Sequence, residues 1–175
     1  MVGELPDDIL AISDSCRQRH GEREWRSAIL THEIHGHLGI YSTLGVKMGV
    51  RAREWFEAQG LKGDISILSF AGLTPPVSCL NDGLQISTGS TLGHGLISVS
   101  PDPVKRAEAR FTCDGQTLTI KLKEAYETRI RADIEKGVSL YGHAPAYWQY
   151  IRTLALQYWN NWSREAILDI VPAEG

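Results

Sequence analysis

The chain has 175 residues, 42% of them hydrophobic and 22% charged, with a formal net charge of −3 and a pI near 6.1. This suits one globular domain with its own core, and the weakly acidic balance excludes the basic face that a nucleic acid requires. Three scattered cysteines exclude a disulfide framework; with an acidic N-terminus and no apolar run of roughly 18 residues, they point to a cytoplasmic protein with no membrane role.

The first predicted helix runs from Leu5 to His20, with Pro6 in its first turn and Asp7 and Asp8 at the positive end of its dipole. Gly21 ends it, and Glu22 to His32 reads as a second, short helix. A longer helix is expected from about Gly36 to Gln59. There His37, Tyr41, Leu44, Met48, Ala52 and Trp55 fall on one narrow face at 100° per residue, and Gly60 closes it. Gly45, Gly49 and Ala52 form a small-residue strip beside that face. Each interior glycine costs about 1 kcal/mol against alanine, so another backbone is expected to come close, from a helix of the same chain or from a second copy.

Beyond Gly60 the pattern turns to strands. Ile65 to Phe70 is a short apolar run ending in the Gly72, Pro75, Pro76 loop. Ser78 to Ser87 is predicted as a short helix capped by Ser78 and ended by Gly89, and Leu96 to Ser100 as a second strand. Ala107 to Thr112 and Gln116 to Lys121 alternate around Cys113-Asp114-Gly115 and read as a hairpin. Lys123 to Lys136 and Pro145 to Asn161 are expected helices. Strands in the middle with helices at both ends give an α+β class with a small mixed or antiparallel sheet.

Thr31 to His37 is the densest chemical segment, with half of the six histidines in it. Imidazole suits zinc, nickel, copper and iron. On an ideal helix His35 and His37 would point about 200° apart, so they share an ion only if the backbone is irregular, which Gly36 permits. His32 reaches the same region if the preceding turn is helical. A lone histidine is more often structural; the His-Gly-His triplet raises the metal reading, although His-Glu-x-x-His is absent.

Cys79 lies at a predicted loop-to-helix junction, where the dipole would favour the thiolate. Taken alone it reads more readily as a buried structural thiol. The loop Ser87 to Gly95 carries three glycines and four hydroxyls whose amides could receive an anion, without a Walker A pattern. The aromatic set Tyr141, Tyr147, Trp148, Tyr150, Tyr158, Trp159 and Trp162 reads as helix packing, and His143, His20, Cys16 and Cys113 as surface or structural residues.

The strings IHGHLGIYSTLGVKMG (34 to 49) and CLNDGLQISTGSTLGHGLI (79 to 97) resemble the two signatures of the formylmethanofuran dehydrogenase E-subunit family. The resemblance covers roughly residues 30 to 123, leaving about 124 to 175 as an aromatic helical extension of a single domain spanning 1 to 175. It implies an α+β core that commonly dimerises and a metal or active site built from His35, His37 and Cys79. Asp82 would be an acid/base or supporting group, and Thr88 and Thr91 would orient the loop. Many members carry a Cys-Pro or Cys-Gly pair where this chain has Gly39-Ile40, and some add a C-terminal zinc finger whose cysteines this chain lacks.

The motifs and the resemblance together imply a metal-binding protein, zinc first and nickel or iron as alternatives, assisting catalysis on a small molecule with Cys79 and Asp82 as catalytic candidates. The alternatives are a non-catalytic accessory subunit or metal carrier for an oxidoreductase, and metal-free chemistry at Cys79. A homodimer, a small-molecule ligand and an oxidoreductase are the expected partners.

Overall fold

The structure is a computed structural model that describes residues 5–173. Its helices are α1 (Asp7–Leu10), α2 (Ser13–His35), α3 (Ile40–Ala58), α4 (Leu80–Thr88), α5 (Glu124–Tyr141), α6 (Pro145–Asn161) and α7 (Arg164–Ile167). The strands β1 (Ser66–Ser69), β2 (Ile97–Val99), β3 (Glu108–Cys113), β4 (Gln116–Leu122) and β5 (Leu168–Pro172) form one mixed sheet in the order β2-β1-β3-β4-β5. The α+β class is as expected.

The sheet follows from alternation. Ala109, Phe111 and Cys113 on β3, and Leu118, Ile120 and Leu122 on β4, point inward, while Arg110 and Lys121 face solvent. Phe111 pairs with Ile67 on one side and Leu118 on the other, which sets the register of the central strands. Asp114 and Gly115 make the two-residue hairpin loop, both with positive φ (48° and 81°), as a type I′ turn requires.

Helix α3 lies across the inner face of the sheet and is buried on nearly every side. Leu44, Met48, Ala52 and Phe56 pack against the strands, while Val46 and Val50 join a second cluster with Trp25 of α2 and Trp159 of α6. The small-residue strip serves α4 of the same chain. A Cβ on Gly45 would stand 2.1 Å from the Leu80 carbonyl oxygen, and one on Gly83 would stand 2.0 Å from that of Ser42. Two helices this close carry the two motifs of the candidate site. Of the aromatic set, Tyr158 and Trp159 are buried and Tyr158 stacks on Trp162 at 3.9 Å, whereas Trp148 and Tyr141, expected to pack, are exposed.

Several boundaries differ from the sequence reading: the first helix is interrupted at Ala11 and Ile12, and α5 runs on past Lys136 to Tyr141. Gly21 does break the helix (φ 84°, ψ 164°), but the second half runs on past His32 to His35. Gly36 then adopts the left-handed conformation that ends α2, and α3 begins only at Ile40. His37 therefore lies between two helices instead of on the apolar face of the long one. Ser78 does not cap α4; it sits in a 3-10 turn (Val77–Cys79), and α4 starts after Cys79 without a side-chain cap. Strand β5, unforeseen in the sequence, adds to β4 through the pairing of Ile120 with Ile170.

Candidate metal centre

The last turn of α2 brings His35 against α4, and the left-handed Gly36 sets His37 beside it. His35 leaves the end of α2 with its side chain 12% exposed, and its Nδ1 is 2.6 Å from Oδ2 of Asp82. A carboxylate accepts, so Nδ1 donates, and Nε2 is the ring nitrogen that Asp82 leaves unused. That Nε2 is buried and has no hydrogen-bond partner among the described residues. A buried polar atom without a partner costs about 1–3 kcal/mol, so its persistence calls for a reason.

His37 follows across Gly36, and its ring centroid lies 4.5 Å from that of His35. Its ring returns over the chain: a Cβ on Gly39 would stand 3.4 Å from His37 Nε2. Partial burial, followed by the neighbouring His35 and His32, pulls its pKa below the ordinary histidine value. His37 is therefore neutral at neutral pH, the form that binds metals. Nδ1 of His32, one turn before His35, is also buried without a partner among the described residues.

Cys79 and Asp82 are three apart across the start of α4 and share a face. Together with His35 they line a cavity of about 600 Å³. The expected lowering of the Cys79 pKa by the helix dipole does not occur. Burial pushes the thiol up, and the adjacent Asp82 carboxylate pushes it further; the backbone hydrogen bond that opposes them is the weakest influence. At neutral pH Cys79 is a thiol.

Of the sequence-derived site residues, His35, Cys79 and Asp82 meet on one cavity wall, while His37 touches His35 but is not part of that wall. Among the described residues, no three His, Cys, Asp or Glu side chains stand together as a finished ligand cage. Thr88 and Thr91 shape the loop. The Thr88 hydroxyl donates to the Leu84 carbonyl and accepts from the Ser90 amide, while Thr91 accepts from the His94 amide. Asn81 and Gln85 join the site unforeseen. Asn81 accepts from Ser69 and donates to the Gly72 carbonyl, and Gln85 accepts from the Leu92 amide, so both fix the cavity's strap. The spacing of Asn81 and Gln85, one helical turn apart beside Asp82, was the available signal.

No helix among the described residues is long and apolar enough to cross a membrane. No curated protein matches the sequence. The family model described as "FmdE, Molybdenum formylmethanofuran dehydrogenase operon" matches residues 34–165, a span that begins just before His35 and runs through α6 into α7. The chain belongs to the FmdE family.

Proposed function

We propose that this FmdE-family protein binds one transition-metal ion through His35, His37 and Cys79, and that the loaded site assists catalysis on a small molecule held in the adjoining cavity. One observation supports this above the rest: His35 is held at Nδ1 by Asp82 while its buried Nε2 has no partner. A carboxylate behind an imidazole, with the far nitrogen free, is how proteins orient a metal-binding histidine. Asp82 is then a positioning residue more than a proton carrier.

Nitrogen and sulfur donors suit zinc first, with nickel or iron as alternatives. His37 is exposed, so its ring can turn toward an ion without disturbing the core. Cys79 must release its proton to ligate, so affinity should rise with pH. A bound ion would acidify water or polarise a carbonyl. The chain's own part is to orient His35 through Asp82 and to hold a ligand in a volume suited to a small molecule.

An accessory or metal-carrier role beside a formylmethanofuran dehydrogenase-type oxidoreductase is the second reading, supported by the description of the matching family. A cytoplasmic homodimer fits either. Metal-free chemistry at Cys79 is the weakest, because burial and Asp82 both keep the thiol protonated. The test is elemental analysis after equilibration with zinc and exhaustive dialysis. One equivalent per chain, lost in His37→Ala, supports the proposal; a metal-free wild-type protein contradicts it.

A further inference from the structure

Among the described residues, strand β2 is one edge of the sheet and pairs only with β1. The direction of its backbone groups can be read from the ladder. The Leu96 carbonyl accepts from the Ile67 amide, and the Ser100 amide donates to the Ser69 carbonyl. Even-numbered residues of β2 thus face β1. Ile97 and Val99 turn their N–H and C=O groups the other way, out of the sheet, and among the described residues those groups have no hydrogen-bond partner.

All of β2 also lines the cavity that holds His35, Cys79 and Asp82. The open edge and the candidate site are therefore two parts of one surface. Ile97 and Val99 are two residues apart, so their outward groups repeat at about 6.8 Å, the repeat of an extended chain. Leu73 and Leu92, on the same wall, are 81% and 74% exposed. The wall has one carboxylate, Asp82, and no lysine or arginine.

We infer that this edge docks an extended, non-anionic peptide-like ligand, which adds as a further strand beside β2 and lies across the cavity. Alternate amides of the ligand pair with Ile97 and Val99. Its side chains on one face cover Leu73 and Leu92, and a group of the ligand is thereby presented to His35 and Cys79. The absence of cations and the presence of Asp82 on the wall select against acidic ligands. Backbone pairing supplies affinity and the alternate side chains supply selectivity, as in strand addition generally. This rests on reading the cavity as the functional site, but not on a metal being bound there.

The test uses the full chain labelled with nitrogen-15 and a blocked hexapeptide alternating valine and lysine. The expected result is saturable shifts centred on the Ile97 and Val99 amides. The counterpart with glutamate for lysine should bind at least tenfold more weakly. N-methylating one set of alternate peptide amides should abolish binding, while methylating the other set should not. Val99→Pro removes an outward donor where proline is tolerated, and should weaken binding at least tenfold while the Ser98 amide keeps its ladder signal. No saturable shift, shifts away from β2, or indifference to which amides are methylated would overturn the inference. So would dilution of the free protein altering the same resonances, which would assign the edge to a second copy. Metal content is read in the same wild-type sample, so loss of one property without the other shows which proposal has failed.

Discussion

Helix α2 carries two histidine–carboxylate neighbourhoods, one sealed and one open, and they differ in how many cations hold the carboxylate and in whether a cavity adjoins it. In the sealed one, Glu24 has a fully buried side chain and accepts from Lys47 at 2.6 Å and from Arg164 at 3.0 Å. Arg164 also clamps Glu54 with two hydrogen bonds and donates to the His20 carbonyl. His20 donates through Nε2 to the Asn160 carbonyl, and its buried Nδ1, 4.0 Å from Glu24, has no hydrogen-bond partner among the described residues. In the open one, His35 and Asp82 form a single pair beside a cavity, and, as at His20, one buried ring nitrogen has no partner among the described residues. The first arrangement ties α2, α3 and α7 together; the second is one ring and one carboxylate at the wall of a cavity. Histidine beside a carboxylate is not by itself a site: what distinguishes the two is whether the neighbours use up the charge.

The comparison is tested most severely at Glu24. Glu24→Ala leaves Lys47 and Arg164 as buried cations without their shared acid, and should cost about 3–5 kcal/mol in urea unfolding. Asp82→Ala, at a side chain 36% exposed, should cost about 1 kcal/mol or less. Equal losses would erase the distinction. Gly45→Ala comes next: its methyl would meet the Leu80 carbonyl, pushing α4 off α3 at a cost of about 1–3 kcal/mol and drawing Asp82 away from His35. Both the unfolding midpoint and the metal content should fall in that variant.

Asp82→Asn should barely change stability but weaken metal binding roughly 10- to 100-fold, because the amide no longer fixes the His35 tautomer; competitive titration with a chromophoric chelator measures it. The smallest effect is in pH. Burial, chiefly, and Lys47 next, hold the His20 pKa below 6.5. Below pH 6.5 the unfolded chain takes up a proton that folded His20 resists, so stability falls as pH drops toward the folded pKa and is fully present above 6.5. His20→Gln should flatten that slope in urea unfolding between pH 7 and 5.

Local signals carried the α+β class and the Asp114-Gly115 hairpin, while the pairing of the two motifs came from the family resemblance. The remainder depended on distant neighbours. The phase of the long helix could not be extended back to His37, because the left-handed turn at Gly36 resets the backbone between α2 and α3. Strand β5 is five residues whose partner β4 lies some fifty residues earlier, and nothing within its own sequence announces that pairing. The raised pKa of Cys79 comes from burial by other elements, which outweighs the local helix terminus that suggested the opposite. Lys47 falls in an apolar stretch of α3, and only the fold reveals Glu24 as its buried partner.

X-ray absorption at the zinc edge of the loaded protein tests the central claim most directly. The predicted first shell contains imidazole nitrogen and one sulfur, with the sulfur lost in Cys79→Ser and the imidazole signal reduced in His37→Ala. A shell of oxygen alone, unchanged in both variants, would contradict it.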